Sequence, residues 1–164
     1  QECSALNYGL EACKKIADEF LKKAGIKNMK AVWVLEDGAN ATVNYAYEQD
    51  GVICYSDLVK ISVCRERGTV NGMDAKNYYL NHKVRKLATP LIKLGEAQSR
   101  LNGSLTVQKS SLALIPQNGG TETLAYEFIA GKEDGTYYVY IDALTGAEAD
   151  IFKVVETSEG TMLM

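Results

Sequence analysis

The chain has 164 residues, 46% of them hydrophobic and 24% charged, with a formal net charge of −3. This composition excludes a disordered chain, and the acidic balance gives no footing for a nucleic-acid or anionic-membrane surface. No run of about 18 apolar residues occurs, so no segment reads as a bilayer span.

The first element is a helix over 8–24. Leu10, Cys13, Ile16, Ala17, Phe20, Leu21 and Ala24 recur at helical spacing and form one apolar stripe. Lys14, Lys15, Asp18, Glu19, Lys22 and Lys23 take the opposite face, with Glu11/Lys15 and Glu19/Lys23 spaced for i,i+4 pairing. Asn7 is the expected N-cap, and Gly25 the stop. Strands follow at 30–36 and 41–48, separated by Asp37-Gly38. Val43, Tyr45 and Tyr47 alternate onto one face of the second. Asp50-Gly51 turns the chain into extended segments at 52–55 and 58–64, and Arg67-Gly68 leads into 69–74.

Residues 76–93 form a connection. Asn77 to Leu80 reads as partly packed, and His82 to Lys86 as a basic, exposed stretch. Thr89-Pro90 marks a boundary, because the residue before proline is pushed out of the helical region. A shorter helix is expected over 92–101. Strands are expected at 105–115, 122–130, 136–143 and 147–156, with turns at Asn118-Gly119-Gly120, Asp134-Gly135 and Thr145-Gly146.

The order helix-then-strands occurs twice, and residues echo at matching places. Ala46-Tyr47-Glu48 recurs as Ala125-Tyr126-Glu127, an offset of 79, and the turn ending at Gly68 recurs 78 residues later at Gly146. A period of about 80 is too long for a solenoid, so it reads as a duplicated small domain. The fold expected is α+β: two tandem units, 1–83 and 84–164, each one helix packed on an antiparallel β-sheet.

Reactive groups are scarce. His82 is the one histidine, and its neighbours Asn81 and Lys83 suggest a solvated ring. Cysteines 3, 13, 54 and 64 fit no zinc spacing. An oxidising compartment would allow Cys3 with Cys13 and Cys54 with Cys64; otherwise they are small buried side chains. No GxGxxG, P-loop, GxSxG or HExxH pattern occurs. Carboxylate clusters at 36–37, 48–50 and 133–134 sit at turns. The reading is of a protein that is not an enzyme, with no catalytic residue, cofactor or metal assigned. Ten tyrosines supply core and interface material. The stretch least dictated by the fold holds Tyr78, Tyr79 and His82, which form the candidate partner surface.

The run Gly135-Thr136-Tyr137-Tyr138-Val139-Tyr140-Ile141-Asp142-Ala143-Leu144-Thr145-Gly146-Ala147-Glu148 resembles the PepSY domain signature. The first copy departs from it, with Cys64-Arg65-Glu66-Arg67-Gly68 in place of Asp-Ala-Leu-Thr-Gly. The run from Ala46 to Lys60, with Gly72 to Tyr78 and Asn81-His82-Lys83, resembles the C-terminal tandem PepSY region of the YpeB family of spore-germination proteins. The resemblance extends to the closing residues 151–164. It implies a non-catalytic regulatory or binding module that stabilises or inhibits a cortex-lytic peptidoglycan hydrolase of the SleB type. It also implies a location outside the inner spore membrane, with an upstream membrane anchor, no membrane contact from this stretch itself and no nucleic acid. The alternative it implies is a PepSY propeptide-type inhibitor of a peptidase.

Overall fold

The computed structural model describes residues 2–154 and 161–163. It consists of three α-helices, α1 (Leu10–Lys23), α2 (Lys76–Asn81) and α3 (Leu94–Ser99), a short 3-10 turn at Asn118–Gly120, and nine strands. The strands are β1 (Met29–Asp37), β2 (Asn40–Gln49), β3 (Val52–Cys64), β4 (Thr69–Asp74), β5 (Thr106–Pro116), β6 (Glu122–Lys132), β7 (Gly135–Asp142), β8 (Glu148–Val154) and β9 (Thr161–Leu163). The α+β class expected from the sequence is the class observed.

Two compact units are present, and neither is a single stretch of chain. Of the described residues, the first comprises 2–48, 56–82 and 161–163; the second comprises 49–55 and 83–154. Residues 49–55 fall inside the expected span 1–83 yet pack with the second unit, and 161–163 fall inside 84–164 yet pair with the first. Strand pairing is the physical reason. Val52, Ile53 and Cys54 at the start of β3 pair in parallel with Leu112, Ala113 and Leu114 of β5, while β9 pairs antiparallel with β1.

In the first unit the strands run β4-β3-β2-β1-β9. The apolar stripe of α1 does what its spacing predicts. Cys13, Ala17 and Leu21 are buried against Val34, Val43, Tyr45, Val59, Ile61 and Val63. Each fully buried Val or Ile of this core stabilises by about 1.5–3 kcal/mol relative to its exposed state. Tyr45 reaches from this core to donate its hydroxyl to Asp18 Oδ1 at 2.6 Å, and Lys14 closes the i,i+4 pair with Asp18 at 2.7 Å. Burial and the Asp18 contact push the Tyr45 phenol far above its ordinary value. The helix begins at Gly9 without a side-chain cap. Asn7, the expected cap, instead donates its amide to the Glu66 carbonyl at 3.0 Å.

That contact belongs to a clamp on the β3–β4 turn. Cys3 and Cys64 form a disulfide, and Cys13 and Cys54 are buried and outside any disulfide. This corrects both pairings considered from spacing. Cys13 lies under α1 in the core, and Cys54 shares one unbroken strand with Cys64, which cannot bend back to meet itself. The expected break in that strand at Ser56-Asp57 does not occur.

In the second unit the strands run β8-β7-β6-β5-β3. Phe128, Val139 and Ile141 are fully buried, with Leu124 and Tyr126 beside them. Helix α3 is one and a half turns long, shorter than expected, and buries Ala97. Tyr126 donates its hydroxyl to the carbonyl of Ile92 at 2.8 Å, holding the segment that leads into α3.

Candidate functional site

Helix α2 carries the candidate partner surface. It starts after Ala75, where Asp74 Oδ1 accepts the Lys76 N–H at 3.1 Å, and ends where the His82 N–H meets the Tyr78 carbonyl at 2.8 Å. Six residues hold too few hydrogen bonds to be helical alone, so tertiary contacts must hold α2. The Asn81 amide donates to the Ser56 carbonyl at 3.1 Å. Tyr78 packs against the α1 core.

His82 sits beside a carboxylate with no solvent exposure. Its Nδ1 lies 3.0 Å from Oδ2 of Asp57, and its side chain is 29% exposed. The ring nitrogen and the carboxylate oxygen stand at hydrogen-bond distance. The imidazole stacks on Tyr78 with ring centroids 4.4 Å apart, and the Tyr47 ring meets it edge-on at 4.6 Å. The solvated histidine expected from Asn81 and Lys83 is therefore corrected: three side chains hold this ring. Its sequence neighbours are exposed, and the buried carboxylate that engages it is 25 residues away. Partial burial, with Asp57 nearby, raises the Tyr78 phenol above its ordinary value.

The structure thus brings Tyr78 and His82 together as a brace and turns Tyr79 outward. Tyr79 is 73% exposed and Leu80 is 70% exposed, and the Tyr78 ring meets the Tyr79 ring edge-on at 5.5 Å. An aromatic ring and a leucine held outward on a braced helix are the material of a protein contact. The basic stretch after α2 is not uniformly exposed, as the sequence suggested. Arg85 is buried and pairs through Nε with Glu122 Oε1 at 2.9 Å.

One buried polar cluster lies outside these residues. Glu127 on β6 accepts the Tyr140 hydroxyl at 2.7 Å and the Tyr55 hydroxyl at 2.5 Å, both at Oε2. Glu127 faces Tyr140 directly in the β6–β7 register, and the small Ser111 stands opposite Glu127 on β5. Burial, then the charge of Glu127, drives the Tyr55 and Tyr140 phenols far upward. Tyr138 is pushed up to about 12 by the same causes. A carboxylate hydrogen-bonded by two phenols and closed to solvent ties the strands together from within. The echo of Ala46-Tyr47-Glu48 at 125–127 is the signal that marks this site. Glu48, at the matching place in the first copy, stays half-exposed with Lys30 Nζ 3.6 Å away.

A family model described as YpeB sporulation, PepSY1 and PepSY2 domains, matches residues 2–88. The chain belongs to the YpeB family of sporulation proteins. The sporulation protein YpeB of Oceanobacillus iheyensis is 33% identical over 150 residues, which cover 92% of this chain and 33% of the relative. That of Halalkalibacterium halodurans is 34% identical over 92% of this chain and 34% of its own length. The chain therefore spans about a third of these YpeB relatives. The Bacillus megaterium YpeB C-terminal domain superimposes with a TM-score of 0.87 at 27% identity, covering 95% of this chain and 70% of that domain. The YpeB relatives are named for sporulation and carry no enzyme name.

Proposed function

We propose that this YpeB-family chain acts by binding rather than by turnover, holding or restraining a cortex-lytic peptidoglycan hydrolase of the SleB type. In this reading it works outside the inner spore membrane, tethered through an upstream anchor. The observation that carries it is the outward pair Tyr79 and Leu80 on a helix braced by Tyr78 and His82. Holding such side chains rigidly lowers the ordering cost of association. The chemistry left over supports the same reading. Asp57 and Glu127, the buried carboxylates among the described residues, are both engaged by neighbouring side chains. Neither is offered to a ligand, as a general acid or base must be.

The test is calorimetric binding of the chain to the purified hydrolase, with release of cortex peptidoglycan fragments assayed in parallel. Tyr79→Ala is expected to weaken binding about tenfold, roughly 1.4 kcal/mol. His82→Ala is expected to weaken it less, by loosening the brace. Cortex turnover by the chain alone would overturn the proposal. So would inhibition of a peptidase without affinity for the hydrolase, which would establish the propeptide-type reading instead.

A further inference from the structure

Charge is unevenly distributed along this acidic chain. Residues 75–95 contain no Asp or Glu and five basic residues: Lys76, Lys83, Arg85, Lys86 and Lys93. The rest of the chain holds 13 basic residues against 21 acidic ones. In the second unit this bias becomes a surface. Lys83, Lys86 and Lys93 are exposed and form no ion pair among the described residues. Apolar side chains lie between them: Val84 is 81% exposed and Leu91 is 76% exposed.

The strip is held in place, not left loose. Gln49 grips the backbone of Arg85 from both sides, its Oε1 accepting the Arg85 N–H at 2.9 Å and its Nε2 donating to the Arg85 carbonyl at 2.6 Å. The Arg85 side chain points inward to Glu122, so its neighbours Val84 and Lys86 face out. Further along, the Leu91 N–H donates to the Ala143 carbonyl at 2.9 Å. Beside residues 83–88 runs a groove of about 460 Å³ whose apolar wall includes Leu114, Leu124 and Leu144.

We infer that residues 83–93 dock an acidic segment of a partner protein, in which carboxylates alternate with apolar side chains. The inference rests on the reading of the chain as a binding module and adds the chemistry of what is bound. Lysines spaced among exposed apolar groups repel a second copy of the same strip and select the opposite charge. A phosphate-rich partner fits less well. Arg85, whose fork would match phosphate, is already paired internally. Three exposed lysines also fall short of the roughly 4–8 clustered cations that capture an anionic bilayer. The pinned backbone reduces the ordering cost of binding.

The test uses a fluorescent twelve-residue peptide of alternating Glu and Leu, titrated with the intact chain. Controls are a Lys-Leu peptide and phosphatidylglycerol vesicles. Saturable binding of the Glu-Leu peptide alone is expected, weakened at least tenfold in K83E/K86E and again in the single variant Val84→Asp. Both changes are at exposed positions, and unchanged thermal unfolding will verify that the variants fold. Equal binding by K83E/K86E would overturn the inference. Capture of vesicles without capture of the peptide would also overturn it and assign the strip to anionic lipid. The same variant separates this inference from the proposed function. Unaltered hydrolase affinity in K83E/K86E removes the basic strip from the hydrolase interface and leaves the hydrolase reading standing. Charge-sensitive peptide binding with no hydrolase affinity does the reverse.

Discussion

The turns at 64–68 and 142–146 have one backbone shape and two means of support. In each, the closing glycine N–H returns to the carbonyl four residues earlier: Gly68 to Cys64 at 2.8 Å, Gly146 to Asp142 at 2.9 Å. Both glycines have positive φ, 66° and 78°. The later turn supports itself. Asp142 Oδ1 accepts the N–H groups of Leu144 and Thr145 at 2.8 and 3.0 Å, and Thr145 Oγ1 accepts that of Ala147 at 3.2 Å. The earlier turn has Cys64 where that aspartate would stand, and its support comes from the far end of the unit. The Cys3–Cys64 disulfide, Ser4 bonded to Glu66, Asn7 bonded to the Glu66 carbonyl, and mutual bonds between Tyr8 and Arg65 clamp it. A motif can thus lose its capping side chain and keep its shape when a remote segment takes over the restraint.

The sharpest way to break this comparison is to remove the disulfide. Cys3→Ser is expected to cost about 2–4 kcal/mol, by releasing a closed loop of roughly 60 residues in the unfolded chain. Urea unfolding of the unmodified protein with and without reductant should reproduce the difference. An effect near zero would mean that the hydrogen bonds alone hold the turn. Next come the glycines. A Cβ at Gly68 would lie 2.5 Å from the Tyr8 ring, whereas one at Gly146 would lie 3.1 Å from the Arg100 guanidinium, the far end of a flexible side chain. Both substitutions carry the left-handed backbone penalty of about 1–2 kcal/mol. Gly68→Ala should exceed Gly146→Ala by about 1 kcal/mol or more, because the Tyr8 ring must be displaced. Equal losses in thermal unfolding would show that the clamp yields freely.

The smallest effect is a local response to pH at the clamp. The Ser4 N–H, chiefly, holds the Glu66 carboxyl below its ordinary 4.5. A folded value below the unfolded one stabilises at higher pH, and this stabilisation is lost as pH falls through the folded value. The Ser4 amide resonance should therefore titrate with a midpoint below 4.5. A midpoint at 4.5 or above would show that the contact does not form.

Much of this architecture was legible in local patterns. The α1 stripe predicted which residues meet the sheet, because 3.6-residue spacing is a property of the chain itself. Gly68 and Gly146 marked equivalent turns because only glycine tolerates that backbone cheaply. The strand break expected at Ser56-Asp57 failed for a different reason. A polar pair usually ends a strand, but here Asp57 is buried and satisfied by His82 from another element. The Cys3–Cys64 bond and the Tyr55–Glu127–Tyr140 cluster were illegible for the same cause. Each joins residues whose proximity is decided by strand order, and no short-range pattern encodes that order. The exposed position of Tyr79 beside the inward Tyr78 likewise depends on which side of a six-residue helix meets the core.

The disulfide between Cys3 and Cys64 makes a covalent ring that contains α1, β1, β2 and β3. A protease that severs any one loop within that ring, such as the one at Asp37-Gly38, leaves two fragments still joined through sulfur. Such a nicked molecule would stay in one piece until a thiol reduced the bond.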